Sequence, residues 1–131
     1  MKVLIVDDDL PLAESTAELL RCFDNRKQEL EAISLAADLE TAISHLPVHD
    51  AVLCDGIFPP SPHSSFQAEN WLVLRHAAQV RGIHFVLYSG SDDAVECARE
   101  WGIFALTKPA TIEEIYSALT HYSSPNCAET P

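Results

Sequence analysis

Basic residues are scarce in this sequence of 131 residues, where 8 Lys and Arg stand against 20 Asp and Glu and the formal net charge is −12. Because affinity for DNA and RNA depends largely on neutralising phosphates with Lys and Arg, direct nucleic-acid binding is not expected. No apolar stretch approaches the roughly 20 residues that a membrane-spanning helix needs, and no basic segment precedes a signal-like core. The sequence therefore predicts a cytoplasmic protein with no nucleic-acid or membrane partner.

Paired cysteine spacings are also absent. The four cysteines are widely separated, at Cys22, Cys54, Cys97 and Cys127, whereas metal sites and disulfide frameworks show closer, recurring spacings. Cys54 falls inside a predicted buried strand, so reduced thiols with packing roles are expected. The six histidines show no ligand spacing either, and none is assigned to a metal.

The length leaves room for one domain. A hydrophobic share of 47% and a charged share of 21% are typical of a globular chain with a sizeable core. We predict a single domain over residues 1–122. Residues 123–131 are small and polar with two prolines, which predicts a flexible C-terminal tail.

Short β-rich apolar runs alternate with helical patterns along the chain. The runs are residues 3–6, 51–54, 85–88 and 103–106, with a weaker one over 30–34. Apolar periodicity and capping residues predict helices over 11–22, 36–46, 69–80, 91–101 and 111–122. Five such strands with right-handed crossovers predict an α/β, doubly wound (βα)5 flavodoxin-like sandwich. Its five-stranded parallel sheet should have the order 2-1-3-4-5.

Polar side chains follow the four strong runs. They are Asp7 and Asp8, Asp55, Ser89, and Lys108. Because parallel strands end at one edge of the sheet, where α/β folds build their sites, these residues should converge. Clustered carboxylates repel one another unless a cation joins them, and an all-oxygen acidic site suits Mg²⁺. The sequence therefore predicts Mg²⁺ as the cofactor.

A bound Mg²⁺ would make Asp55 chemically useful, because a carboxylate can act as a nucleophile toward phosphoryl groups and form an aspartyl phosphate. Lys108 can form an ion pair with the carboxylate or the phosphoryl group, and Ser89 can donate a hydrogen bond to it. Nucleophile, metal site, ammonium group and hydroxyl then have complementary roles.

The order and spacing of these motifs resemble the receiver domain of the two-component response regulators, the family that includes the chemotaxis response regulator. The matching residues are Val6-Asp7-Asp8, Asp55, Ser89-Gly90 and Lys108-Pro109, and the likeness covers about residues 2–122. The resemblance implies that Asp55 is the phosphoacceptor and Asp8 a direct metal ligand, with Asp7 acting mainly through water. It also implies that the main-chain carbonyl of Ile57 completes the protein ligands.

The same resemblance implies that Ser89 is the switch hydroxyl and Lys108 the active-site lysine. The phosphoryl donor would be a histidine kinase or a phosphotransfer protein, and the output would be an unidentified protein target. The chain would catalyse only its own phosphorylation and dephosphorylation, and so would not be a turnover enzyme. Whether it forms a homodimer is left open.

Other interpretations compete with this one. A Mg²⁺-dependent phosphohydrolase would share the chemistry but needs a general acid near its nucleophile, and Ile57 cannot supply one. A receiver-like protein-interaction module could act without phosphorylation. At the level of single residues, the acids at 7–9 could cap a helix, Ser89 could be a turn hydroxyl, and Lys108 could be a solvated loop residue.

A long loop follows the phosphoacceptor strand, from residue 57 to about 68, and contains three prolines. Such loops are either functional lids and binding loops or disordered segments, and both alternatives stay open. Phe58 and Phe66 could offer apolar contacts to a partner. Trp71 and Trp101 are expected to be core or partial-core anchors, with part of a docking surface as the less favoured alternative. Ala105 stands where the family commonly has an aromatic residue, and Phe104 is one position out of register.

Overall fold

Strands and helices alternate strictly in the computed structural model, which describes residues 1–120. The strands are β1 (Lys2–Val6), β2 (Ala32–Ala36), β3 (Ala51–Cys54), β4 (His84–Ser89) and β5 (Phe104–Thr107). The helices are α1 (Leu10–Asp24), α2 (Leu39–His45), α3 (Trp71–Val80), α4 (Asp92–Glu100) and α5 (Ile112–Thr120), with a short 3₁₀ helix (Leu46–Val48) after α2. The predicted tail, and the predicted helix beyond residue 120, lie outside the described residues.

The five strands form one parallel sheet of order β2-β1-β3-β4-β5, which confirms the predicted doubly wound topology. Successive side chains of a strand point to opposite faces. Val3 and Ile5 therefore pack with α1 and α5 on one face, while Leu4 and Val6 pack with the 3₁₀ helix, α3 and α4 on the other. The result is a three-layer sandwich of helices, sheet and helices. The predicted site residues lie at the edge where the carboxyl ends of the strands meet.

The second strand lies two residues later than the predicted 30–34. The carboxylate of Asp24, at the end of α1, accepts hydrogen bonds from the backbone N–H of Glu29 at 2.7 Å and of Leu30 at 3.0 Å. Residues 29 and 30 are therefore held in the turn after α1, and pairing with β1 begins at Ala32.

Helix α2 begins three residues later than predicted. Ala36 is the last residue of β2 and pairs with Val6 of β1, so it cannot start a helix. The helix begins after Asp38, whose carboxylate accepts hydrogen bonds from the backbone N–H of Thr41 at 2.7 Å and from its hydroxyl at 2.8 Å. A short side chain that satisfies free N–H groups in this way marks the start of a helix.

The two tryptophans have different environments. Trp71, at the start of α3, is 3% exposed and packs in the core as predicted. The prediction for Trp101 was wrong, because its side chain is 57% exposed. Its backbone N–H donates to carbonyls in the last turn of α4, so Trp101 caps the helix and does not pack in the core.

Within residues 1–120, no helix combines the length and the apolar character needed to cross a membrane.

Candidate functional site

The adjacent strands β1 and β3 bring Asp7 and Asp55 side by side. Val6 pairs with Cys54 in the parallel register, and the backbone N–H of Asp55 donates to the carbonyl of Val6 at 2.8 Å. One carboxylate oxygen each from Asp7, Asp8 and Asp55 lies within 4.8 Å of the others. The register of the sheet therefore creates the predicted cluster of three acids.

Lys108 joins two members of that cluster. Its Nζ donates to Oδ2 of Asp7 and to Oδ1 of Asp55, both at 3.1 Å. The backbone N–H of Lys108 donates to the carbonyl of Ser89 at 2.8 Å, which holds the end of β5 against β4. The side chain is only 21% exposed, so the solvated-loop interpretation is wrong. The peptide bond between Lys108 and Pro109 is cis.

The ion pairs affect the charge states at this edge. Burial and the neighbouring Asp7 carboxylate raise the pKa of Asp55, and Lys108 partly offsets this rise. Burial on its own would lower the pKa of Lys108, but the carboxylates of Asp55 and Asp7 outweigh it, so the lysine pKa is raised. Lys108 is therefore a stable cation, and it keeps two crowded carboxylates together.

The carboxylate oxygens of the three acids differ in the hydrogen bonds that they accept. Asp7 accepts the backbone N–H of Asp9 on Oδ1, at 2.9 Å, and the lysine on Oδ2. Asp55 accepts the backbone N–H of Gly56 on Oδ1, at 2.8 Å, together with the lysine. Within residues 1–120, no hydrogen bond ends on Oδ2 of Asp55. Both oxygens of Asp7 thus accept hydrogen bonds, whereas one oxygen of Asp55 accepts none from the described residues.

Asp8 has a single hydrogen-bond partner among residues 1–120. The side-chain amide of Gln67 donates to its Oδ2, and no hydrogen bond from the described residues ends on its Oδ1. The main-chain carbonyl of Ile57, which follows two residues after Asp55, likewise accepts no hydrogen bond from this part of the chain. The atoms that could ligate a metal here are therefore all oxygens, and most belong to carboxylates. Hard divalent cations such as Mg²⁺ prefer such ligands.

Ser89 is buried at the end of β4. Its Oγ accepts a hydrogen bond from the backbone N–H of Ser91 at 3.0 Å, which is the contact expected of a turn hydroxyl. Its role as a switch hydroxyl stays a prediction.

Of the three consecutive acids at residues 7–9, Asp9 is the one that caps a helix. Its carboxylate accepts a hydrogen bond from the backbone N–H of Leu12 at 3.2 Å. Asp7 and Asp8 do not cap this helix.

The long loop after β3 is held in place at both ends. Phe58 forms an antiparallel bridge with Ala68, through hydrogen bonds of 3.2 and 3.4 Å. The side-chain amide of Asn70 also donates to the carbonyl of Phe58 at 2.7 Å. Phe58 is 0% exposed in the core, so the expectation that it contacts a partner was wrong, whereas Phe66 is 68% exposed. We call residues 57–70 the strap.

A further attachment ties the strap to α2. The carbonyls of Pro59 and Pro60 accept hydrogen bonds from the backbone N–H of Leu39 and Glu40, both at 3.0 Å. These N–H groups lie in the first turn of α2, where a helix has no internal partners for them.

The sequence did not predict the contact between Gln67 and Asp8, because nothing in the spacing of a loop glutamine indicates which carboxylate it will reach.

Phe104 and Ala105 occupy opposite faces of β5, as their adjacent positions in a strand require. Ala105 is buried, and Phe104 is half exposed and packs edge-on against His84 with ring centroids 4.9 Å apart. No aromatic side chain therefore occupies the buried position three residues before Lys108.

Searches with family models and against curated proteins found no match. Solved structures, however, are similar. The response regulatory domain of protein mrkE from Klebsiella pneumoniae has a TM-score of 0.68 and 21% identity, and the match covers 100% of both chains. The receiver domain of a sensor histidine kinase from Pseudomonas aeruginosa, solved with a magnesium ion in its active-site cleft, has a TM-score of 0.62 and 20% identity. That match covers 92% of this chain and 95% of the other.

A response regulator protein from Burkholderia pseudomallei is also similar, with a TM-score of 0.66 and 18% identity. Its crystal structure contains a phosphorylated aspartic acid, a calcium ion and citrate. The match covers 91% of this chain and 66% of that protein. These comparisons show a shared fold: the chain has the fold of response regulator receiver domains.

Proposed function

We propose that this chain is a phosphorylation-dependent signalling receiver that accepts a phosphoryl group on Asp55. The observation that carries the proposal is the position of Lys108, whose Nζ lies 3.1 Å from both Asp7 and Asp55 at the carboxyl edge of the sheet. The carboxylates of Asp8 and Asp55 at the same edge supply a nucleophile and cation ligands in one place.

The transfer is a displacement at phosphorus. An oxygen of the Asp55 carboxylate forms the new bond to phosphorus, while the bond from phosphorus to the donor's nitrogen or oxygen breaks and its electron pair leaves with the donor. Lys108 keeps the carboxylate oriented before transfer and can pair with the phosphoryl oxygens afterwards. Ser89 lies at the end of the neighbouring strand, where its hydroxyl can donate to a phosphoryl oxygen.

The residues present fit Mg²⁺. Asp8 would hold it directly through Oδ1, and Asp55 through one carboxylate oxygen, which leaves the other oxygen of Asp55 for the bond to phosphorus. The Ile57 carbonyl would be a further ligand. Asp7, whose two oxygens are already engaged, would act through water. Bound there, Mg²⁺ would supply neutralising charge to the phosphoryl oxygens during transfer. The magnesium and phosphoaspartate sites of the Pseudomonas and Burkholderia proteins support this proposal by analogy of fold.

We assign no external substrate, so the chain would modify only itself. A phosphohydrolase of this chemistry would need a general acid beside its nucleophile, and Ile57 at the second position after Asp55 offers none. The donor would be a histidine kinase or a phosphotransfer protein, and the phosphorylated form would act on a protein target. The remaining alternative is a receiver-like interaction module that works without phosphorylation.

Intact-mass measurement after incubation with a small acyl phosphate and Mg²⁺ tests the proposal. The wild-type protein should gain one phosphoryl group that is stable in acid and labile in base. Asp55→Asn should gain none, because an amide is a far weaker nucleophile. Asp93→Asn, an exposed acid in the first turn of α4, is the matched control and should be modified like wild type.

Two outcomes would contradict the proposal. Full phosphorylation of Asp55→Asn would show that another residue accepts the group. An unmodified wild-type protein under conditions where Mg²⁺ binds would instead favour the phosphorylation-independent interaction module.

A further inference from the structure

We propose that Gln67 is a positioning residue of the cation site, which makes the strap part of that site. The inference rests on the proposed function and deepens it. The Gln67 amide holds Oδ2 of Asp8 and thereby directs Oδ1, which accepts no hydrogen bond from residues 1–120, toward the cation.

The backbone around Gln67 is anchored independently of Asp8. Gln67 immediately precedes Ala68, which bridges to Phe58, and Phe58 is fully buried in the core. Asn70 adds a side-chain hydrogen bond of 2.7 Å to the same Phe58 backbone. A side chain carried by a segment that is hydrogen-bonded to a buried residue loses less freedom on contact than one on an unattached loop. The hydrogen bonds to Phe58 therefore hold the backbone of Gln67 near Asp8.

The chemistry of an amide suits this position. Asp8 is the more exposed neighbour of a buried acid, Asp7, and unlike Asp7 and Asp55 it has no contact with Lys108. A neutral N–H donor fixes the orientation of the Asp8 carboxylate without cancelling the negative charge that attracts the cation. Partners that orient a ligating carboxylate commonly contribute tenfold or more to metal affinity. A lysine here would compete with the cation, and an acid would repel Asp8.

Calorimetric titration with Mg²⁺ alone tests the proposal without any phosphodonor. Gln67→Ala should bind Mg²⁺ about tenfold more weakly than wild type. The matched control is Gln79→Ala, the same chemical change at an exposed position of α3, and it should bind like wild type. Because Gln67 is itself exposed, both variants should unfold at wild-type denaturant concentrations when Mg²⁺ is absent.

A double-mutant cycle shows whether Gln67 acts through Asp8. In an Asp8→Asn background, the additional change Gln67→Ala should cause no further loss of Mg²⁺ affinity. A full tenfold loss in that background would overturn the positioning role, as would wild-type affinity in the single variant Gln67→Ala. Both results leave the proposed function in place. Failure of the wild-type protein to bind Mg²⁺ at all would instead contradict the cation site of the proposed function.

Discussion

Gly56 and Ser89 approach each other so closely that a Cβ atom on Gly56 would lie 2.7 Å from Oγ of Ser89. The backbone of Gly56 does not require glycine, since its φ lies outside the left-handed region. The requirement comes from the neighbouring strand. The residue after Asp55 must be small for the Ser89 hydroxyl to remain beside the site.

Gly56→Ala should therefore destabilise the protein through this one contact. We expect a loss of about 1–3 kcal/mol in the free energy of unfolding, as for other overpacked sites. The cost should shrink in a Ser89→Ala background, where the clashing Oγ is absent. Gly90→Ala is the control, because an added Cβ there meets nothing within 4 Å. Urea unfolding measures all four variants, and equal costs in both backgrounds would rule out the contact.

Mg²⁺ should stabilise the folded protein by mass action. At a free concentration of 100 times Kd, the gain is about 2.7 kcal/mol. Asp8→Ala should lose most of this gain, because it removes a proposed direct ligand. Without Mg²⁺, Asp8→Ala should be no less stable than wild type, because removing one carboxylate relieves repulsion among the three acids. Thermal unfolding with and without Mg²⁺ tests the prediction, and equal Mg²⁺-dependent shifts in both proteins would contradict it.

The lifetime of the phosphorylated form should depend on Ile57. Its side chain is 46% exposed and cannot hydrogen-bond a hydrolytic water. Ile57→Asn would supply an amide that can orient such a water, so we predict dephosphorylation several-fold faster than wild type. Ile57→Leu keeps the apolar character and should decay at the wild-type rate. The measurement is loss of phosphoaspartate by intact mass after removal of the donor. Identical decay in all three proteins would show that water access is controlled elsewhere.

Tyr116 should contribute to stability far from the site. Its hydroxyl shares its one proton between a carboxylate oxygen of Asp24 at 2.6 Å and one of Glu29 at 2.9 Å, which ties α5 to the end of α1. Tyr116→Phe removes this shared hydrogen bond and should lower the free energy of unfolding by about 1.5–3 kcal/mol, the range for a hydrogen bond to a charged group. A loss below 0.5 kcal/mol, on the order of a neutral surface change, would contradict the assignment.

The same contact makes stability depend on pH. Burial alone would raise the pKa of Asp24, but hydrogen bonds from Tyr116 and from the backbone N–H of Glu29 and Leu30 outweigh it and lower the pKa. A depressed folded-state pKa contributes stability above the unfolded value of about 3.9, and this contribution is lost as pH falls through the folded value. The stability difference between wild type and Tyr116→Phe should therefore narrow between about pH 5 and pH 2. A difference that is constant with pH would argue against the Asp24 contact.

The sequence by itself determined the sheet and most of the candidate site. Apolar runs on both faces identified four of the five strands to within one residue, because parallel strands are buried on both sides. Asp7, Asp8, Asp55, Ser89 and Lys108 could be assigned to one edge for the same reason, since each follows a strand and parallel strands end together.

Only the tertiary structure decided which atoms meet at that edge. The start of β2 depends on hydrogen bonds to Asp24, and the late start of α2 on the pairing of Ala36 with Val6 of β1, neither of which local propensity encodes. Phe58 is buried among core residues far from it in the chain, and Gln67 contacts Asp8, which lies 59 positions earlier. Periodicity reports the face of an element, whereas a loop side chain has no period. Its partner is set by packing across the whole sheet edge.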